Sequence, residues 1–62
     1  MFEFKASELK IGDVFTLDNG STWNEVVRIE RGRTWVSAWC EQSSDRLIRQ
    51  VDLAVNFKVI VK

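Results

Sequence analysis

The chain contains no histidine, no proline and no tyrosine, and it has a single cysteine, Cys40. Without histidine, it lacks the side chain that most often serves as a general acid or base at neutral pH. One cysteine and no histidine exclude an internal disulfide and the common kinds of zinc site. The three glycines stand singly and far apart, so no glycine-rich phosphate loop is present either. These absences predict a protein that is not an enzyme and that holds no metal or cofactor.

The length and the net charge of the chain further limit the kind of protein it can be. The 62 residues predict a single domain spanning residues 1–62, with a formal net charge of zero. A chain this short buries only about 60% of its unfolded surface, so good packing or self-association must stabilise it. Five arginines lie between positions 28 and 49, yet the overall balance lacks the basic excess typical of nucleic-acid-binding proteins.

The expected compartment is the cytoplasm. A lone cysteine on a predicted core face suits a reducing environment. The first ten residues, MFEFKASELK, lack the continuous apolar core of a signal peptide. No apolar run approaches the length of a membrane span, so we expect no membrane contact.

The segment Glu25–Cys40 predicts two strands joined at Arg31-Gly32, because β-branched and aromatic residues dominate both arms. With those two residues as the loop, Arg28 faces Trp35 and Val27 faces Val36. The two-residue period of a strand then sorts the side chains into two faces. The predicted core face carries Val27, Ile29, Thr34, Val36, Ala38 and Cys40. The opposite face carries Arg28, Glu30, Trp35, Ser37 and Trp39.

The segment before this hairpin predicts one strand between two turns. Residues 14–17 alternate as a strand, flanked by Gly12-Asp13 and by Asp18-Asn19-Gly20, whose Asn and Gly tolerate the positive φ of tight turns. Residues 6–11 are too short for a stable helix and predict an irregular loop with at most one helical turn. Leu9 and Ile11 are expected to anchor that loop to the core.

After the hairpin, residues 46–51 predict a strand that pairs with the preceding one, placing Trp39 opposite Ile48. Residues 51–56 break the alternation and suit one turn of 3₁₀ or α-helix. Residues 57–62 alternate again and predict the last strand. The chain as a whole therefore predicts an all-β domain of five short strands.

The segment from Leu9 to Val14 resembles the "hydrophobic, x, x, Gly-Asp, hydrophobic" opening of KOW and Tudor-like proteins. The run from Gly20 through Trp23 to Ile29 continues that resemblance. The order of a long first loop, a central tight hairpin and a helical turn before the last strand is similar to that of SH3-like barrels. The resemblance implies a five-stranded SH3-like barrel that binds a ligand, since members bind peptides, methylated side chains, nucleic acids or protein surfaces. The tyrosines with which signalling SH3 domains bind proline-rich peptides are absent.

The face with two indoles and a guanidinium is the candidate binding surface. The candidate binding residues are Arg28, Trp35, Trp39, Arg33, Arg49 and Trp23. Two other interpretations stay open at this point. In one, Phe2 and Phe4 of the N-terminal arm cover Trp35; in the other, Trp39 and Ile48 are buried against a second copy of the chain.

The sequence favours a non-enzymatic module that acts through protein–protein contact, with a protein partner or with itself. Small accessory or inhibitor proteins of bacteria and their phages are of this kind. The alternative is a nucleic-acid-binding module. In that case Trp35 and Trp39 stack bases. The arginines that contact phosphates are then Arg28, Arg31, Arg33 and Arg49.

Overall fold

Six antiparallel strands and one 3₁₀ turn form the fold in a computed structural model that describes all 62 residues. The elements are β1 Phe2–Lys5, the 3₁₀ turn Ala6–Glu8, β2 Val14–Thr16, β3 Asn24–Arg31, β4 Trp35–Gln42, β5 Ile48–Ala54 and β6 Lys58–Val61. They make one sheet in the order β1-β6-β2-β3-β4-β5. The all-β prediction is confirmed. None of the helical structure is long and apolar enough to cross a membrane.

The sheet has six strands where the sequence predicted five, because the N-terminal arm is itself a strand. Phe2 lies opposite Val61 and Phe4 opposite Val59, so β1 pairs with the last strand of the chain. β6 therefore lies between β1 and β2. The two edges of the sheet, β1 and β5, are not paired with each other.

The predicted helical turn at residues 51–56 is wrong. β5 continues to Ala54, because Leu53 faces Val36 and packs against the core while Asp52 faces Ser37. The chain reverses only after that, where the Phe57 N–H donates to the Ala54 carbonyl at 2.9 Å. The helical element of the fold lies at the other end of the chain, at Ala6–Glu8.

The hairpin between β3 and β4 closes through a longer loop than predicted. Arg31 faces Val36 and Arg28 faces Trp39, so the register lies four residues away from a two-residue loop at Arg31-Gly32. The Gly32 N–H donates to the Trp35 carbonyl at 2.8 Å, which closes a loop over residues 32–35. An even shift keeps side chains on their faces, so the division into two faces holds for residues 28–31 of β3 and for β4 in spite of the wrong register.

A β-bulge in β3 changes one of the predicted core residues. Val26 faces Cys40 and Arg28 faces Trp39, which leaves Val27 without a partner. Val26 is therefore buried, with 1% of its surface exposed, whereas Val27 is 38% exposed. The prediction that Val27 belongs to the core is wrong, and its neighbour takes that place.

The core lies between the sheet and the loop before β2. Its buried cluster consists of Leu9, Phe15, Val26, Ala38, Cys40, Val59 and Val61. Leu9 and Cys40 are buried as predicted, but Ile11 is 67% exposed. A turn holds Ile11 outward, because the Asp13 carboxylate accepts the Lys10 N–H at 2.9 Å and Gly12 adopts a φ of 97°.

Candidate functional site

The candidate site is the solvent side of strands β3, β4 and β5, which we call the outer face. It carries Arg28, Glu30, Trp35, Ser37, Trp39, Glu41, Ile48, Gln50 and Asp52. The inner face of the same strands carries the apolar residues Val26, Ile29, Val36, Ala38, Cys40, Val51 and Leu53. The outer face is thus a surface of three paired strands, with polar and aromatic side chains in rows across it.

One row brings Arg28 and Trp39 into direct contact. The Arg28 Cζ lies 4.6 Å from the centre of the Trp39 ring, a cation–π arrangement. The Arg28 Nη2 also donates to the Glu30 Oε2 at 3.0 Å. The predicted contact of Arg28 with Trp35 is replaced by this one, because the longer hairpin loop places Trp39 opposite Arg28.

Trp35 lies at the end of the outer face, next to the hairpin loop. Its indole rests on the backbone of Gly32, where a Cβ would come within 2.7 Å of the Trp35 Cε2. The ring stays 45% exposed. The N-terminal arm is engaged elsewhere: Phe4 packs against the core and Phe2 lines a cavity beside Trp23.

A polar row separates the two indoles of the outer face. The Ser37 hydroxyl donates to the Asp52 carboxylate, and the Gln50 Nε2 donates to the same carboxylate at 3.0 Å. These hydrogen bonds lower the pKa of Asp52. Trp35 and Trp39 lie four residues apart on one strand, or about 13 Å. They are therefore two separate contact points and do not converge into a cage.

Most of the candidate arginines are bound to groups of the chain itself. Arg49 donates to Asp45, with Nη2 and Oδ2 2.6 Å apart, and this holds the pKa of that carboxyl at about 2. Arg46 contacts Glu41 at 2.8 Å. Arg33 lies in the exposed hairpin loop and forms no ion pair.

Arg31 has a structural role that sequence reasoning missed. Its guanidinium donates to the carbonyl of Leu9 and, at 3.5 Å, to that of Ser7, which ties β3 to the 3₁₀ turn. No signal in the sequence indicates this role, because the sequence predicts Arg31 in the hairpin loop, whereas in the structure it occupies an inner-face position opposite Val36. An arginine at such a position reaches past the sheet to backbone acceptors.

Trp23 lies apart from the outer face. The Lys62 Nζ is 4.9 Å from the centre of its ring. The ring also borders a cleft of about 450 Å³ with Met1, Phe2, Glu3, Thr16, Asn19, Gly20 and Ile60. Of the six candidate residues, the structure therefore brings only Arg28, Trp35 and Trp39 onto one face.

Cys40 and the carboxylates form no reactive cluster. Burial raises the pKa of the Cys40 thiol to about 11, so it is protonated at neutral pH. No group of three or more metal-ligating side chains lies close together. The outer face is accordingly suited to contact and hydrogen bonding.

Comparison with known proteins finds no relative of this chain. The chain matches no family model, no curated protein and no solved structure.

Proposed function

We propose that the chain is a non-enzymatic binding module that acts through protein–protein contact on its outer face. The observation that carries the proposal is the placement of exposed Trp35 and of the Arg28–Trp39 pair on one side of three rigid strands. Tryptophan and arginine are the residues that most often dominate the binding energy of protein interfaces. The hydrogen-bonded row between the indoles supplies polar groups that are already ordered.

The proposal includes an SH3-like barrel built from β2 to β6, with β1 as an added strand. Strands β2, β3, β4 and β5 are neighbours in sequence order, and β6 returns to pair with β2. The first and last of these five strands therefore adjoin. A small accessory or inhibitor protein of a bacterium or phage fits this size, and the free thiol of Cys40 fits a reducing cytoplasm.

The arginine contacts favour a protein partner over nucleic acid. A nucleic-acid interface needs cations that are free to meet phosphates. Arg28 is held by Glu30, Arg31 by backbone carbonyls and Arg49 by Asp45, so phosphate binding has to displace these partners first. With a net charge of zero, the chain also lacks long-range attraction for a polyanion.

The test compares three forms of the protein in affinity capture from a lysate of the producing cells. These are the wild type, the double variant Trp35→Ser/Trp39→Ser, and Leu17→Ser as a matched control. Leu17 is 47% exposed, a fraction similar to the 45% of Trp35, but it lies in the loop after β2 and not on the outer face. We expect the double variant to lose the captured protein and the control to retain it.

The captured protein is then purified and titrated by calorimetry. The double variant should bind at least about 30-fold more weakly, as is usual when dominant interface residues are truncated. Circular dichroism checks that the variant stays folded. Undiminished affinity in the folded double variant would contradict the proposal. So would a captured nucleic acid whose binding falls steeply with salt.

A further inference from the structure

We infer that β5 binds a second copy of this chain by pairing antiparallel with β5 of that copy, about a two-fold axis at Val51. The inference deepens the proposed function, on whose premise of protein contact it rests, by naming one partner. It uses the edge of the sheet, however, and leaves the indoles of the outer face free.

β5 is the last strand of the sheet, with β4 on one side and no strand on the other. Two backbone hydrogen bonds at the ends of β5 define which of its residues bond to β4. Gln42 N–H donates to Leu47 O at 3.0 Å, and Val55 N–H donates to Thr34 O at 3.1 Å. Because bonding alternates along an antiparallel ladder, the residues of β5 that bond to β4 are Arg49, Val51 and Leu53.

The backbone groups of the other residues of β5 therefore point to the open edge. These are the N–H and C=O of Ile48, Gln50 and Asp52, and the N–H of Ala54, whose carbonyl is taken by Phe57. Such a row is a template for another strand.

The opposite edge of the sheet is less suited to pairing. β1 is four residues long, and its outward positions are the charged Glu3 and Lys5. The Lys5 N–H is already bound to the Glu8 carboxylate at 2.8 Å. β5 is seven residues long, only Asp52 among its outward positions is charged, and the chain has no proline to interrupt it.

The register follows from the same alternation. In a symmetric pair, outward-bonding residues must face outward-bonding residues. Full overlap of β5 with its copy places Gln50 opposite the partner's Asp52 and Ile48 opposite the partner's Ala54. Val51 then faces the partner's Val51 at the axis, as a pair without mutual backbone hydrogen bonds.

The side chains fit this register. The Gln50 amide meets a carboxylate at two symmetric places, and Arg49 meets the partner's Leu53, so no like charges oppose each other. Val51 continues an apolar row formed by Ile29 and Ala38 on the inner face. A net charge of zero leaves no repulsion to keep two copies apart.

Sedimentation equilibrium over a range of protein concentrations tests the inference. We expect wild type to approach twice the mass of one chain, and Gln50→Pro, which removes an outward N–H without touching the β4 ladder, to stay monomeric. Gln50→Glu and Gln50→Lys form a matched pair. Glu faces the partner's Asp52 and Lys attracts it, so their association constants should differ by roughly tenfold, with Lys tighter.

A cysteine at the axis tests the register itself. Facing residues of a pair without mutual hydrogen bonds lie at a Cα separation that a disulfide can span. Val51→Cys should therefore cross-link to itself under mild oxidation. Leu53→Cys, the matched control, faces the partner's Arg49 and should not. The native Cys40 stays in place, because it is buried and its thiol is protonated.

The outcomes separate the inference from the proposed function. A wild type that is monomeric at all concentrations, or Leu53→Cys cross-linking as fast as Val51→Cys, overturns the β5 pairing and leaves the outer-face proposal standing. Association that survives Gln50→Pro and is lost in Trp35→Ser/Trp39→Ser also overturns it, by placing the contact on the outer face. A dimer that persists in the double variant while capture is lost supports both.

Discussion

The two faces of the β3–β4 hairpin are built from the same two strands of eight residues each, yet they have opposite tasks. On the inner face, Val36, Ala38 and Cys40 are fully buried. On the outer face, Trp35 and Arg28 are open to solvent, while Ser37 is buried and donates to the Asp52 carboxylate. The alternation of side chains along the two strands therefore separates the residues that form the core from the residues that are free to contact a partner. Substitutions on the inner face should cost stability, and those on the outer face should cost binding.

Neighbouring valines give the strongest test of this comparison. Val26→Ala removes two methyl groups from the core and should lower the free energy of unfolding by about 2 kcal/mol. Val27→Ala, one residue on, should change it by less than about 0.5 kcal/mol, because the bulge turns Val27 to solvent. Urea denaturation measures both. Equal losses, or a larger loss at Val27, would contradict the bulge.

Arg31 tests whether the inner face is stabilised by apolar contact alone. Arg31→Met keeps much of the side-chain volume but removes the hydrogen bonds to Leu9 and Ser7. We expect a loss of about 1–2 kcal/mol in the free energy of unfolding. Arg33→Met is the control, since Arg33 lies in the loop without an ion pair, and it should stay near wild type. A loss of unfolding free energy in Arg33→Met as large as that in Arg31→Met would contradict the structural role of Arg31.

The smallest expected effect is present at neutral pH and disappears in acid. Arg49 and the Leu47 N–H lower the pKa of Asp45 from 3.8 to about 2. A lowered carboxyl pKa stabilises the fold above the unfolded value, and this contribution is lost as the pH falls from about 4 toward 2. Asp45→Asn should therefore be less stable than wild type at pH 7, and the two should converge near pH 2. Thermal unfolding at several pH values measures the gap, and a gap independent of pH would contradict the assignment.

The two faces could be predicted from the sequence because side-chain direction depends only on whether a register is shifted by an even or an odd number. The shift of four residues between β3 and β4 after the bulge, and of two between β4 and β5, both preserve it, whereas the shift of three before the bulge reverses Val26 and Val27. The turns at Gly12 and at Asn19-Gly20 were also predictable, since their positive φ values need these residue types.

Other features depend on contacts that no local pattern contains. Val26 and Val27 are equally apolar, so the bulge that separates them could not be read from the sequence. The contact of Arg28 with Trp39 required the true register, in which the indole of Trp35 rests on Gly32. The full length of β5 required Leu53 to meet Val36 across the sheet.

The pairing of β1 with β6 also bears on the order in which the strands can pair as the chain is made. Phe2 meets Val61, so one edge of the sheet joins residues from the two ends of the chain. The β3–β4 hairpin, by contrast, closes through a loop of a few residues and forms with little loss of loop entropy. During synthesis, all residues of the hairpin are made before β6, the strand with which β1 pairs. Phe2 and Phe4 can therefore meet Val61 and Val59 only after the last strand of the sheet has been synthesised.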